Sequence, residues 1–190
     1  MSEAVVEGQA LPAPGRWVID PAHTSAGFVA RHLMVTKVRG KFTDVAGAIT
    51  IAERPEDSTV ELTLGAASIA TGSDQRDAHL RSADFLDVEN HKELAFRSTS
   101  VKLRGLEGTL EGKLTIRGVT KPVSLDFEYL GAFTDPWGNA KIGFSAKGIL
   151  VREDWDLNWN VPLEGGGVLV SKTVDLDLEV QANLEQPTQS

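Results

Sequence analysis

The chain has no cysteine, which excludes disulfides, thiolate nucleophiles and cysteine metal ligands. It has no run approaching the ~20 consecutive apolar residues that a membrane-spanning helix needs. It has no basic run of about five to eight residues. Its 19 Lys and Arg are outnumbered by 27 Asp and Glu, for a formal net charge of −8. That balance argues against a general binder of nucleic acid or anionic membrane, which needs clustered positive charge. Several catalytic signatures are missing too: no Gly-x-Ser-x-Gly elbow, no phosphate loop and no dinucleotide fingerprint. The four histidines, His23, His32, His79 and His91, include no pair at the spacing of a helical zinc motif, so no metal site is expected. The opening residues MSEAVVEGQALPAPG lack a basic region followed by an apolar core. No secretory signal is read there, and a cytoplasmic location is expected.

What the chain does have is alternation. Its 190 residues, 41% hydrophobic and 24% charged, suit one globular domain. A domain of that size buries roughly 70% of the surface its unfolded chain would expose. Residues 1–15 read as a flexible leader, residues 16–183 as one β-domain, and residues 184–190 as a disordered tail. Within the domain, segments near 16–20, 24–33, 38–51, 59–67, 94–103, 109–116, 121–130, 140–150 and 171–181 alternate apolar and polar residues. Parity changes predict a kink at Gly47 and a bulge at Thr99 and Ser100. Residues 152–160, REDWDLNWN, read as irregular or as one helical turn, and residues 165–167 as a glycine hinge. About eight strands with one dry face describe an antiparallel sheet. Such a sheet closes into a barrel or folds into a sandwich.

The inward faces mix small and large residues. Ala26, Ala30, Ala66, Gly112, Ala146 and Gly148 interleave with Phe28, Phe96, Phe127 and Phe144. An eight-stranded barrel is either filled by its own side chains or holds one small ligand. Small residues on the inner face favour an open apolar channel, unless facing Leu and Phe side chains fill the space.

One run breaks the alternation. Residues 71–87, TGSDQRDAHLRSADFLD, read as a helix, with Asp74 as its cap and Asp77 in a capping-box position. Asp77 and Arg81 stand four apart, as in a surface ion pair. Arg76 and His79 offer donors to an anionic head group. The competing reading is that Arg76 and Asp77 brace the helix against the barrel rim.

An ordered series of short motifs then identifies a resemblance. Asp20-Pro21-x-His23-x-Ser25 leads to Phe28 and His32. Gly40-Lys41-Phe42 and Gly47 follow, then Ser68-Ile69-x-Thr71 with Arg76-Asp77-x-His79-Leu80 and Asp84-Phe85. Next come Phe96-x-Ser98-Thr99, the run from Gly112 through Lys121-Pro122-Val123, and Gly143-Phe144. From about Trp17 to Ala182 the chain resembles the YceI-like family. The resemblance implies an all-β fold: an eight-stranded antiparallel lipocalin-like barrel with one short helical insert. It also implies binding, storage or transport of a polyisoprenoid or fatty-acyl-type molecule in an elongated cavity. Where the family carries an Arg-x-Asp-Phe-Gly type sequence, this chain reads Arg152-Glu153-Asp154-Trp155-Asp156. Trp155 is expected to reshape that end of the cavity.

The expected ligand-binding set is therefore Phe28, Phe42, Phe85, Phe96, Phe127, Phe144 and Trp155 for the apolar chain. His32, Arg76 and His79 are the expected polar contacts. No catalytic residue, cofactor or metal is expected, and the protein is read as a non-enzymatic binder. The alternative is a barrel isomerase or cyclase using His or Asp as acid or base. A homodimer through an edge or the helix is compatible with the sequence, although no patch marks it.

Overall fold

The computed structural model describes residues 5–186. The alternating segments form strands because each can turn one face inward and leave the other wet. A small hairpin comes first, β1 (Val5–Val6) with β2 (Gln9–Ala10). β3 (Gly15–Ile19) and β4 (Ser25–His32) then form one bent stave. The bend is a 3-10 turn over Pro21–His23, capped by the Asp20 carboxylate accepting from Ala22 N–H. β5 (Thr36–Phe42) and β6 (Val45–Ile51) make a second stave, broken at Thr43 and Asp44. β7 (Thr59–Gly65) and β8 (Ile69–Ala70) make a third, broken by a 3-10 turn over Ala66–Ser68. α1 (Asp74–Arg81) follows. β9 (Glu93–Arg104), β10 (Glu107–Ile116), β11 (Val119–Thr134), β12 (Ala140–Val151) and β13 (Thr173–Leu184) complete the wall.

Every pairing is antiparallel, and the β12–β13 ladder closes the sheet on itself. Three bent staves and five single strands make the expected eight-stranded barrel, so the sandwich is set aside. β13 pairs with β4 along its first half and with β3 at its end, which shows that those two strands act as one stave. Ser68 pins two bends together: its hydroxyl accepts from Thr43 N (3.1 Å) and Asp44 N (3.0 Å) and donates to Gly65 O (2.7 Å). That contact explains why the kink expected at Gly47 lies elsewhere. The β6–β7 ladder runs through Gly47 without a slip, and the parity change comes from the break at Thr43 and Asp44. The bulge at Thr99 is present, since Ser98 pairs with Gly112 and Ser100 with Glu111. A second bulge, at Leu130, has no counterpart in the sequence reading.

The leader is structured from Val5 onward and folds across one end of the barrel. Two buried aromatics hold it there through their polar tips. Trp17 Nε1 donates to Ala13 O (3.0 Å), and Tyr129 OH donates to Ala10 O (2.8 Å). The first barrel strand begins at Gly15, one residue inside the expected leader. At the C-terminal side, Glu185 N donates to Arg16 O, so the ladder reaches past residue 184. Residues 1–4 and 187–190 of the expected leader and tail lie outside the described residues.

At the other end, α1 is shorter than the run of residues 71–87. Its cap is Ser73, whose hydroxyl accepts from Arg76 N, and not Asp74. Asp77 is buried and turns away from Arg81. It accepts from Thr71 N (2.9 Å) and Thr71 Oγ1 (2.6 Å). Arg81 instead donates to Ala67 O (2.8 Å) and Ile69 O (3.1 Å). The helix is thereby bolted to the β8 rim. Residues 157–172 cross the same end as a strap leading into β13.

Candidate functional site: the barrel cavity

Alternation around a closed sheet brings eight dry faces to one axis, and here they do not meet in the middle. A cavity of about 1290 Å³ runs along the barrel. That exceeds the ~300–1,000 Å³ of most small-molecule pockets. β13 contributes Val174, Leu176, Leu178 and Val180, and β11 contributes Val123, Leu125 and Phe127. Among the described residues, the polar side chains on its wall are Glu53, Glu56, Ser58, Tyr129 and Arg152. Glu53, Glu56 and Ser58 belong to the leader end, beside Pro12 and Pro55. Arg152 belongs to the strap end, with Phe85, Leu86 and Leu157.

Six of the ten expected contacts line this cavity: Phe28, Phe42, Phe85, Phe96, Phe127 and Phe144. The rings of Phe28, Phe96 and Phe127 lie against the backbone of the neighbouring strand. Phe28 pairs with Gly40, and Phe127 with Gly108, in the antiparallel ladders. A side chain at either glycine would collide with the facing ring, so the bare backbone lets each Phe lie flat and keep the bore wide. The expected small residues divide. Ala26, Ala30 and Ala146 line the cavity. The space at Gly112 is taken by Phe96 and that at Gly148 by Leu125, while Ala66 is buried at a stave break. Leucines and valines, more than small residues, therefore make up the wall.

The other four expected contacts lie off the cavity wall. Trp155 is 2% exposed and plugs the strap end from behind Leu114, whose carbonyl accepts from Trp155 Nε1 (2.9 Å). His32 is exposed at the end of β4. Arg76 is exposed and braces the rim, donating from Nε to Thr71 Oγ1 (2.7 Å) and from Nη2 to Thr71 O (2.9 Å). His79 bonds Asp84 (2.9 Å) and meets Phe85 and Trp159 edge-on, with centroids 5.0 and 4.5 Å away. Phe85 stands between it and the cavity. His23 and His91 face Asp20 and Asp87 in the same pairwise manner. Among the described residues, no three His, Asp or Glu side chains come together.

Sequence reasoning passed over Arg152 as a cavity residue. It is 3% exposed, lines the cavity, and has no carboxylate within 4.0 Å among the described residues. Its Nε donates to Ser171 O (2.9 Å), Nη1 to Leu157 O, and Nη2 to Val170 O at 3.5 Å. A guanidinium has five N–H donors, so two remain. Burial lowers its pKa below the usual arginine value, with Glu153 pulling the other way. The signal was present in the sequence. Arg152 continues the inward parity of Ile142, Phe144, Ala146, Gly148 and Leu150.

Three kinds of likeness bear on this cavity. The family model described as a YceI-like domain matches residues 17–182. Protein YceI of Escherichia coli is 36% identical over 175 residues, covering 92% of this chain and 88% of its own. The YceI protein of Campylobacter jejuni superposes with a TM-score of 0.71 at 28% identity, over 82% of this chain and 90% of its own. A polyisoprenoid binding domain from Saccharophagus degradans, implicated in plant cell wall breakdown, shares the fold at a TM-score of 0.67 and 14% identity. That match covers 89% of this chain and 98% of the other.

Proposed function

Because the chain belongs to the YceI-like family, we propose that it binds one long apolar molecule, a polyisoprenoid or related lipid, along the barrel axis and stores or carries it. The observation behind this is the open apolar bore of about 1290 Å³ with charge only near its ends. The named specificity of the Saccharophagus degradans domain points to the same ligand class. Burial supplies the affinity. At roughly 0.8 kcal/mol per CH₂, each added methylene tightens binding about fourfold until the bore is full. The two uncommitted N–H groups of Arg152 donate to an oxygen of the polar head, and the chain extends toward the leader end. No covalent step is part of this reading, and the protein acts as a binder in the cytoplasm.

The test is a displacement titration with prenols of increasing length. Affinity should climb with chain length and then level off. Affinity independent of length would contradict the reading. Chemical alteration of the bound lipid on incubation would move the assignment to the isomerase or cyclase class.

A further inference from the structure

The turn joining β4 to β5 has a sequence that its backbone and its surroundings both disfavour. Leu33 and Met34 have φ of 52° and 61°, and Val35 N donates back to His32 O (3.1 Å). Two consecutive positive φ values are the signature of a type I′ turn, where Asn and Gly are favoured. Here the positions hold Leu and Met, which are strained there. Nor does burial compensate for the strain. Leu33, Met34 and Val35 are 44%, 55% and 76% exposed. Leu33 N donates to Leu169 O (2.8 Å), which ties the tip to the strap, where Val161 is a further exposed apolar residue. The neighbouring Val170 lines the cavity.

The surface behind this tip is basic. From residue 21 to residue 43 there is no Asp or Glu, in a chain with 27 of them, while Arg31, Lys37, Arg39 and Lys41 all fall there. Spaced two apart, the three β5 cations share one face. Arg31 pairs directly with Lys37 across the ladder. All four are exposed, and none has an acidic partner within 4.0 Å among the described residues. Alternation scatters these charges in sequence and gathers them in space, so a scan for a contiguous basic run misses them. Acids flank the strip: Asp175 and Asp177 on β13 pair with Val29 and Gly27 of β4, and Asp44 follows β5.

We propose that the Leu33-Met34-Val35 tip inserts into the surface of an anionic lipid bilayer, with Arg31 and Lys37 at its head groups and Arg39 and Lys41 following along β5. A strained apolar tip backed by unpaired cations fits a surface that is apolar below and negative above. The overall charge of −8 still opposes indiscriminate adsorption. It therefore orients the protein tip-first. The opposite end bears a more exposed residue, Trp137 at 83%, but mixes charges of both signs, with Glu53, Glu56, Asp57 and Glu107 beside Arg54, Lys102 and Arg104, and Arg54 is paired with Glu56 and Asp57. Docked by the tip, the strap end of the cavity faces the membrane, which is where a lipid carrier would load. That last step rests on the function proposed above; the docking does not.

Vesicle flotation of the full chain tests it, with phosphatidylcholine alone and mixed with phosphatidylglycerol. Flotation is expected only with the anionic vesicles and is weakened by salt. L33N/M34G installs the preferred turn residues, so its thermal midpoint should rise while flotation falls at least about tenfold. K37E/R39E should lose at least about tenfold, at roughly fivefold per cation removed. W137S should float like the parent. Prenol titration without vesicles stays unchanged in L33N/M34G, which separates a failed surface from a failed cavity. The proposal is overturned if the parent does not float with phosphatidylglycerol vesicles at low salt, or if L33N/M34G floats undiminished. It is also overturned if the tip variant abolishes a dimer while neither protein floats, because the tip then belongs to a protein interface.

Discussion

Ala146→Phe separates an open bore from a packed interior by the sign of a stability change. Ala146 faces the cavity from β12, between Phe127 of β11 and Leu178 of β13 in the ladders. In a close-packed core the added ring would overpack, at a cost of about 1–3 kcal/mol. In an open bore it gains apolar burial instead. Full burial of a Phe is worth up to about 3 kcal/mol, and one flank of the ring stays unpacked, so about 1–2 kcal/mol of stabilisation is expected. For a domain of this length that raises the thermal midpoint of ligand-free protein by about 2–8 °C. The same ring blocks the path of a bound chain. Losing contact for about four methylenes removes about 3 kcal/mol, or roughly 200-fold in affinity for a long prenol. Differential scanning calorimetry on delipidated protein and a prenol titration read the two effects. Ala146→Phe that is less stable than the parent, or equally stable with unchanged affinity, would refute the reasoning.

Arg152→Met keeps the length and removes the donors to Leu157, Val170 and Ser171 carbonyls. It should cost about 2–4 kcal/mol in urea unfolding and weaken ligands with an acidic head more than neutral prenols. Asp77→Ala strips Thr71 N and Oγ1 of their shared acceptor, so about 2 kcal/mol of stability should go, with prenol affinity little changed because Asp77 lies off the cavity wall. Lys141 lies 3.7 Å from both Asp20 and Asp135. Burial alone would raise the Asp20 pKa, but the His23 side chain, Ala22 N–H and Lys141 hold it below the usual value. Asp135 is held down chiefly by the Asn139 side chain, then by backbone N–H groups and Lys141. Depressed carboxyls contribute stability above the unfolded pKa of about 4 and lose it as pH falls through the folded values. Urea midpoints should therefore fall as pH drops below about 4, and Asn139→Ala, which removes the chief partner of Asp135, should lessen that fall more than Lys141→Met.

Strand after strand was legible in the sequence because a closed antiparallel barrel needs only period-two alternation, and Val174, Leu176, Leu178 and Val180 display it without interruption. The bulge at Thr99 was legible for the same reason, as a change of parity. The leader was not, because Leu11 and Pro12 reach the cavity through hydrogen bonds made by Trp17 and Tyr129, which no periodicity encodes. At the helix, Ser73 and Asp74 are both good caps, and only the pull of Thr71 on Asp77 decides between them. The polar contacts were sought where charge was dense in sequence, around Arg76 and His79. Dense exposed charge there serves the rim, and the cation on the cavity wall stands alone at the end of an apolar strand.

The claim beneath all of this is that the interior is an open apolar bore occupied by a single long molecule. Native mass spectrometry of protein purified without detergent or organic solvent tests it most directly. One apolar adduct per chain is predicted, absent after organic extraction and restored by adding a long prenol. A chain that flies at its bare mass from the first preparation and takes up no prenol would contradict it.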